Sequence, residues 1–499
     1  MERKSAVLLP ISATTGETGI GDFGRGSREY IDYIKSMGFS VWQILPILVV
    51  GMGYSPYSGD SAYAGNHMLI DITALPKHLI SAAELEEARY KGSPYSVDYD
   101  YARVTKREVL RLAYSRLTAA DEVLLDAFIA ENSHWLQDYA TYMAIKEDTA
   151  FAPWRTWSDP LKCHKPKALE AFRKAHSATY GYYCYEQYIF FTQWAELKAY
   201  ANTKGVEIFG DIPIYVAEES VDVWAHSDLF QLDERLNPTR VSGVPPDYFS
   251  EDGQLWRNPL YDYDKMAEDD YKWWIDRILN NLKLYDILRI DHFRAFSEYW
   301  SIDAKEKTAK NGKWVTAPRM EIFNALFKVC KNPCIVAEDL GIINDKVVSL
   351  LEETGFPGMR VLHFGFDGDV ANTHLPHNYC NNCVAYTATH DNNTTLGWLY
   401  ELDENIRKNV LEYINVHTPN WNSGAGKCVG TRSAIRTILS SVANLAVIPM
   451  QDLCGYGGDT RTNIPGVADG NWCYRITPQA MAEVDKEYIL HLNTTYNRK

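Results

Sequence analysis

The sequence lacks the long apolar runs of membrane proteins and the excess of positive charge found in nucleic-acid-binding proteins. No stretch of about 20 consecutive apolar residues, the length of a transmembrane helix, occurs in the chain. Aspartate and glutamate number 65 against 50 lysines and arginines, which gives a formal net charge of −15. Nucleic acids and anionic membranes both favour clustered lysine and arginine, so we expect neither as a partner. The expected substrate is neutral or cationic.

The cysteines lack a disulfide-type spacing pattern, and the amino-terminal segment lacks a secretory pattern. The nine cysteines are scattered and odd in number, and the apolar run 6–9 before Pro10 is too short for a signal peptide. These features predict a cytoplasmic protein with reduced thiols. One Cys-X-X-Cys, from Cys380 to Cys383, has no second pair and no nearby histidine, so we expect no metal site and no cofactor.

Aromatic residues are abundant, with 33 tyrosines, 14 tryptophans and 17 phenylalanines. Tyrosine and tryptophan can stack on sugar or base faces while their polar rims form hydrogen bonds. Core packing accounts for most of them. In the segment 180–197, for example, Tyr188, Phe191 and Trp194 recur at helical spacing, which favours packing over a glycan platform.

Short apolar, β-branched runs alternate with longer helical patterns, as in α/β proteins. A parallel barrel accommodates such runs because its strands are buried on both faces. We therefore predict an α/β fold, a (β/α)8 TIM barrel that forms one catalytic domain over residues 1–499. The predicted barrel strands are 6–9, 41–46, 206–214, 286–293, 335–340, 359–364, 383–391 and 444–452.

Three segments depart from the regular alternation. Residues 73–200 are rich in Ala, Glu, Lys and Leu with helical periodicity, which predicts a mainly helical insertion between strands 2 and 3. Residues 237–264 are dense in Pro, Gly, Asp and aromatics, which predicts a long irregular active-site loop over the barrel mouth with Trp256 at its tip. Residues 477–499 are predicted to form a last helix and a short tail.

Three of the predicted strands carry an acidic residue at or near the carboxyl end: Asp291, Glu338 and Asp391. A single acid at a strand end is most often part of a salt bridge, but three at the same edge of a barrel favour an active site. Arg289 lies two residues before Asp291, so both side chains share one face of the strand and the guanidinium can keep Asp291 ionised. Retaining cleavage of a glycosidic bond requires one carboxylate nucleophile and one carboxylic acid, which these residues can provide.

The segments 289–294 (RIDHFR), 337–341 (AEDLG) and 389–392 (THDN) resemble the nucleophile, acid/base and transition-state-stabilising regions of the α-amylase clan. Further segments resemble, in order, the amylomaltases, also called 4-α-glucanotransferases or disproportionating enzymes, of glycoside hydrolase family 77. These segments are 19–24, 42–46, 55–57, 64–66, 210–216, 243–249, 253–256, 258–261, 394–398, 451–452, 463–466 and 470–472.

The resemblance implies a barrel without a carboxyl-terminal all-β domain. It also implies transfer of α-1,4-glucan segments to the 4-OH of an acceptor sugar. Asp291 would be the nucleophile, Glu338 the general acid/base and Asp391 the stabiliser that holds the 2- and 3-hydroxyls of the distorted sugar. The substrate-binding residues implied by the resemblance are Tyr57, Asp211, Trp256, Arg289, His292, His390 and Asn463, with Trp256 on the acceptor side.

Three positions depart from the usual pattern of the family. They are the stretch around Met52 and Tyr54, Arg257 in place of a glycine, and Arg319 with Met320 in place of glycines. An arginine is largely confined to negative φ, so at Arg257 we expect the loop to turn elsewhere or to lie more open. Its side chain would reach acceptor hydroxyls, pair with an acid at 252, 262 or 264, or lie solvated on the surface.

Two alternatives to the transferase remain open at this point. The same acids would serve a hydrolytic α-amylase or α-glucosidase with water as acceptor. A non-catalytic α-glucan-binding protein is less favoured, because binding needs the aromatics but not all three acids. The expected partners are malto-oligosaccharides and starch- or glycogen-derived α-glucans, and the sequence does not indicate an oligomeric state.

Overall fold

The computed structural model describes residues 2–51, 53–246, 251–341, 343–467 and 469–499. Met52 and residues 247–249, which belong to two of the segments singled out above, lie outside the described residues. Within these ranges the strands are β1 Lys4–Leu8, β2 Val41–Gln43, β3 Glu207–Ile212, β4 Arg240–Val244, β5 Gln254–Pro259, β6 Ile287–Ile290, β7 Glu298–Asp303, β8 Gly312–Thr316, β9 Ile335–Ala337, β10 Gly358–Val361, β11 Cys383–Tyr386 and β12 Leu445–Pro449.

Eight of these strands form one parallel sheet in the order β10-β11-β12-β1-β2-β3-β6-β9. The two end strands meet through the main-chain N–H of Ala337, which donates to the oxygen of Pro357 at 3.0 Å. The side chain of Asp339 reinforces this seam by accepting from the N–H of Met359 at 2.6 Å. The eight predicted strands and the nearly closed barrel are thus confirmed.

Seven of the eight barrel strands are shorter than predicted, and the difference concerns the acids. β6 ends at Ile290, β9 at Ala337 and β11 at Tyr386. Asp291, Glu338 and Asp391 therefore follow their strands instead of ending them. The apolar run indicates the strand, but pairing stops where the chain must turn outward into the connection to the next helix.

The barrel core has two layers because each strand is buried on both faces. Inward-facing side chains fill the barrel itself, among them Leu8, Val41 and Phe209. Outward-facing neighbours such as Trp42 and Leu288 pack under the surrounding helices. In the described ranges the α-helices are α1 Arg25–Ser36, α2 Ala82–Glu87, α3 Tyr99–Tyr114, α4 Ala119–Glu131, α5 Ser133–Asp148, α6 Asp159–Lys162, α7 Pro166–Ala175, α8 Ser177–Thr203, α9 Val221–Ala225, α10 Tyr263–Ala267, α11 Lys272–Leu284, α12 Met320–Val329, α13 Asp345–Thr354, α14 Thr395–Glu401, α15 Glu404–Tyr413, α16 Val429–Ser440, α17 Met450–Cys454, α18 Pro478–Glu483 and α19 Lys486–Thr495.

Helices α2–α8 lie between β2 and β3 and are joined to the barrel by buried polar contacts. Lys106 on α3 is fully buried and pairs with Asp22 at 2.9 Å, while also donating to the main-chain oxygen of Ile70 at 2.7 Å. On α8 the side-chain amide of Gln193 accepts from and donates to the main chain of Asp71. Trp194 is buried in the same helix, as predicted for core packing. These contacts couple the helical segment to the loops beside β1 and β2.

The prediction of an irregular loop over 237–264 is wrong. This segment contains β4 and β5, which form an antiparallel four-stranded sheet with β7 and β8 in the order β5-β4-β7-β8. The proline and glycine residues that suggested a loop lie at the strand ends and in the connection 245–253. Trp256 lies within β5, not at a tip, and packs toward the main core, whereas its neighbour Leu255 packs on the opposite face of the sheet.

The expectation that Arg257 would avoid positive φ is also wrong. Arg257 has φ +65°, and Arg319 and Tyr54, at the other two departures, have φ +56° and +57°. At these three positions the backbone therefore has positive φ, a conformation that glycine adopts without steric cost but that other residues rarely adopt. The exposed guanidinium of Arg257 donates to the main-chain oxygen of Glu306 at 3.4 Å, and no acid at 252, 262 or 264 is its partner among the described contacts.

The carboxyl-terminal segment forms two helices, α18 and α19, where one was predicted. The break falls at Val484 and Asp485, where Asp485 caps α19 by accepting from the N–H of Tyr488 at 3.1 Å. Among the described residues, no helix is long and apolar enough to cross a membrane.

Candidate active site

Arg289 organises the centre of the site from the middle of the barrel. It lies on β6 directly opposite Asp211 on β3, and it is almost fully buried. Its guanidinium is 2.6 Å from Oδ2 of Asp211 and 2.8 Å from Oδ1 of Asp291. Burial lowers the pKa of Arg289, but the two carboxylates outweigh burial and the net shift is upward. One permanent cation is therefore shared between two acids.

Asp291 lies at the floor of the cleft, with 28% of its side chain exposed. Burial by the surrounding protein raises its pKa to about 6, Arg289 opposes the shift, and the charges of Asp211 and Asp391 add to it. The expected ion pair is present, but it does not lower the pKa of Asp291 below its usual range. A group with a pKa near 6 is still about 90% ionised at pH 7, as a nucleophile requires.

Glu338 follows β9 and is held next to Asp291 by the register of the barrel. Ile290 pairs with Ala337, so the residues that follow, Asp291 and Glu338, leave neighbouring strands at the same level. The main-chain N–H groups of His292 and Leu340 donate to the two carboxyl oxygens of Glu338, each at 2.7 Å. This pair of bonds fixes the orientation of the carboxyl group.

Burial raises the pKa of Glu338 to about 8, and the negative charge of Asp291 adds to the shift against the opposing effect of Arg289. Glu338 is therefore mainly protonated at neutral pH while Asp291 is mainly ionised. Two carboxyls whose pKa values are pushed apart in this way can act as acid and nucleophile. Neighbouring strands are about 4.8 Å apart. That spacing fits the separation of about 5–5.5 Å expected of a retaining pair.

Asp391 lies across the cleft in a more exposed position, with 44% of its side chain accessible. The side-chain amide of Asn463 donates to Oδ1 at 2.6 Å, and Nε2 of His390 is 3.4 Å from Oδ2. Arg461 donates to the main-chain oxygens of Asp391 and Asn463 at 2.5 and 2.7 Å. Asn463, His390 and Arg461 thus hold Asp391 in place, while part of its carboxylate stays accessible from the cleft.

An aromatic and carboxylate wall connects Asp211 to Asp391. The hydroxyl of Tyr57 donates to Oδ2 of Asp211 at 2.7 Å, and its ring stacks on His390 with centroids 5.2 Å apart. Trp472 packs beside both rings, at 5.9 and 6.0 Å. The other oxygen of Asp211, Oδ1, is buried and lacks a hydrogen-bond partner among the described residues. A buried acceptor of this kind is suited to a substrate hydroxyl.

Trp256 and His292 form the side of the site next to Glu338. Their rings meet edge to face with centroids 4.9 Å apart, and the indole N–H of Trp256 donates to the side chain of Gln254 at 3.1 Å. Burial and the charges of Arg294 and Arg289 lower the pKa of His292 to about 3, so its imidazole is neutral. Its φ of +49° turns its N–H toward Glu338.

The structure brings all ten predicted site residues into one connected constellation at the carboxyl ends of the barrel strands. Sequence reasoning missed two members. Trp472 belongs to a segment that resembles the family, yet nothing in its neighbourhood indicated contact with Tyr57 and His390. No signal marked Arg461, whose hydrogen bonds to the site go to main-chain oxygens. Within the described residues, no group of three or more His, Cys, Asp or Glu side chains could hold a metal ion.

A (β/α)8 barrel with an ionised and a protonated carboxyl directly after two adjacent strands defines a carboxylate-dependent enzyme that acts on glycosidic bonds. The family model for 4-alpha-glucanotransferases of glycoside hydrolase family 77 matches residues 9–481. The chain belongs to this family.

Individual relatives cover all or nearly all of the chain. The 4-alpha-glucanotransferase of Clostridium butyricum is 41% identical over 495 residues, which are 98% of this chain and 100% of that protein. The Synechocystis 4-alpha-glucanotransferase is 42% identical over 510 residues, covering 100% of this chain and 98% of the relative. The amylomaltase from Streptococcus agalactiae in complex with acarbose superposes with a TM-score of 0.95 at 38% identity and complete coverage of both chains. These matches support an enzyme over the non-catalytic alternative.

Proposed function

We propose that the chain disproportionates α-1,4-glucans by a retaining double displacement, with Asp291 as nucleophile and Glu338 as general acid/base. The observation that carries the proposal is the pair of adjacent carboxyls with pKa values of about 6 and about 8, both in contact with or close to Arg289. At neutral pH this pair starts in the protonation state that glycosidic cleavage requires.

In the first step, Glu338 donates its proton to the glycosidic oxygen while the carboxylate of Asp291 attacks the anomeric carbon. The glycosidic C–O bond breaks, the leaving sugar departs with a 4-OH, and a glucosyl ester forms on Asp291. Esterification neutralises Asp291, whose charge helps to raise the pKa of Glu338. Removal of that charge favours the ionised Glu338 that the second step needs as a base.

In the second step, Glu338 accepts the proton of an acceptor 4-OH, and the acceptor oxygen displaces Asp291 from the anomeric carbon. The new bond has the original α configuration because two inversions have occurred. Asp391 binds the 2- and 3-hydroxyls of the reacting sugar in this proposal. Oδ1 of Asp211, which has no hydrogen-bond partner among the described residues, accepts a hydrogen bond from another hydroxyl of the same sugar, beside Tyr57 and His390.

The acceptor enters on the side of Trp256 and His292. Stacking on Trp256 orients an acceptor sugar before it reacts and so lowers the entropic cost of its attack, which favours transfer over attack by water. Trp256 lies on a paired strand, so its ring position does not depend on the folding of a loop. This supports transfer as the dominant outcome over hydrolysis by an amylase-like reaction.

The proposed donors and acceptors are malto-oligosaccharides and starch- or glycogen-derived α-glucans, with glucose as the smallest acceptor. In this proposal one barrel over residues 1–499 carries the catalysis, 73–200 is its helical insertion, and 237–264 covers the acceptor side. Cytoplasmic location stays a prediction from the sequence.

Incubation with maltotriose tests the reaction. We expect a ladder of shorter and longer sugars with little net gain of reducing ends. Net release of reducing ends in proportion to donor loss would instead establish hydrolysis. Asp291→Asn should lower transfer on the order of 10⁴-fold, because no ester can form. A fluorinated α-glucosyl fluoride should label Asp291, and a label on Glu338 or Asp391 would refute the assignment.

A further inference from the structure

Trp314 is the most exposed of the fourteen tryptophans, all of which lie in the described residues, with 37% of its surface accessible. It lies on β8, one of the two edge strands of the four-stranded sheet, which pairs with β7. On β8, Lys313 and Thr316 are exposed, whereas the apolar neighbour Val315 is partly buried against the main core. A large aromatic ring in polar surroundings is suited to a sugar face more than to an extended apolar protein interface.

The ring of Trp314 is held in place by two neighbours. The guanidinium of Arg294 lies 4.0 Å from the ring centroid, and Trp300 contacts the ring edge to face at 5.1 Å. Trp300 is itself fixed, because its indole N–H donates to the main-chain oxygen of Ala309 at 2.8 Å. Gly312 leaves room for Trp300, since a Cβ there would lie 2.3 Å from the indole. Arg294 lies over one face of the ring, and 37% of the Trp314 surface stays accessible.

This arrangement is continuous with the catalytic site. Arg294 is buried three residues after Asp291, and it interacts electrostatically with Glu338. It also contacts Glu298 at 3.1 Å, and Glu298 accepts from the side chain of Asn344 at 2.5 Å. Asn344 caps α13 in the connection that follows Glu338. Trp314 is therefore attached, through Arg294 and Glu298, to the loop that carries the general acid/base.

We propose that Trp314 is an aromatic platform for an α-glucan chain that extends beyond the catalytic cleft. This inference rests on the proposed function, because the ligand of the platform is the same polymer that the site cleaves. A pre-held ring binds a sugar face without the entropic cost of ordering the side chain. In this proposal the platform contacts glucose units beyond those held in the cleft, so its contribution appears with long glucans and not with maltotriose.

The test compares Trp314→Ala with Trp314→Phe and with Tyr400→Ala, which removes another exposed aromatic, on α14. Binding is measured by mobility in gels that contain glycogen, in an Asp291→Asn background so that turnover does not change the ligand. Activity is measured with maltotriose and with amylose in the otherwise unchanged enzyme. Thermal unfolding checks that each variant is folded.

We expect Trp314→Ala to weaken glycogen binding and to raise KM for amylose by roughly five- to tenfold, the effect of losing one stacking contact. Its kcat/KM for maltotriose should stay within about twofold, Trp314→Phe should retain most binding, and Tyr400→Ala should change nothing. Unchanged binding of glycogen by Trp314→Ala would overturn the proposal. An equal loss on maltotriose and amylose would also overturn it, since Trp314 would then act only by supporting Arg294. Failure of the parent enzyme to form a maltotriose ladder would instead refute the proposed function.

Discussion

The separation of the two carboxyl pKa values predicts a specific pH dependence. The proposed mechanism requires Asp291 ionised and Glu338 protonated, so kcat/KM for maltotriose should rise through a pKa near 6 and fall through one near 8. At pH 5 about a tenth of Asp291 is ionised, and at pH 9 about a tenth of Glu338 is protonated. We therefore expect roughly tenfold losses at both pH values relative to pH 7.

Glu338→Gln separates the two limbs of this profile. The assay is the burst of fluoride release from α-maltosyl fluoride in a single turnover, since this leaving group does not need a proton. The variant should lose the alkaline limb, so that the burst rate at pH 9 equals that at pH 7. The acid limb should stay near pH 6, because Glu338 is neutral there and exerts no charge on Asp291.

The parent enzyme with maltotriose is the control, and it should keep both limbs. An alkaline limb that persists in Glu338→Gln with the fluoride donor would refute the reasoning, because the pKa near 8 would then belong to a group other than Glu338. Loss of the acid limb in the same variant would equally contradict the assignment of the lower pKa to Asp291.

Three further predictions concern stability and the acceptor side. Arg257→Gly should raise the free energy of unfolding by up to about 1 kcal/mol, because a residue with a side chain loses about that much at φ +65°. The control Arg257→Ala keeps a Cβ and should not raise the free energy of unfolding. Urea unfolding measures both variants. Lys106→Ala should cost about 3–5 kcal/mol by leaving the carboxylate of Asp22 buried without its partner. A loss below 1 kcal/mol would contradict this, and adding Asp22→Asn should recover part of it. Trp256→Ala should raise the ratio of released reducing ends to transfer products more than it lowers donor cleavage, and an unchanged ratio would remove its proposed role.

The barrel could be predicted from the sequence because its signal is local. Each barrel strand is a short, largely buried segment of three to six residues, and Asp291 and Glu338 follow their strands directly. The position of Trp256 could not be predicted in the same way. β4 pairs with β7, so that Arg240 lies opposite Asp303, and this long-range partner decides that the segment is a strand.

The electrostatics of the site also lay beyond local patterns. The sequence indicates that Arg289 and Asp291 share a face, which is what the structure contains. It does not reveal that burial outweighs the ion pair and raises the pKa of Asp291, because burial depends on the whole barrel. The positive φ of Tyr54, Arg257 and Arg319 could not be predicted from local patterns either. A residue type predicts an intrinsic preference, but the surrounding contacts decide whether the backbone overrides it.

The alternation of side chains along β5 limits which insertions and deletions the four-stranded sheet beside the site can tolerate in evolution. Leu255 packs on the outer face of the four-stranded sheet, and Trp256 on the face toward the barrel. Insertion or deletion of one residue within β5 would exchange these two faces and move the indole away from His292. Changes in the connection 245–253 leave this alternation intact. Natural variation in acceptor preference should therefore accumulate as length differences in that connection, while the number of residues between it and Trp256 stays fixed.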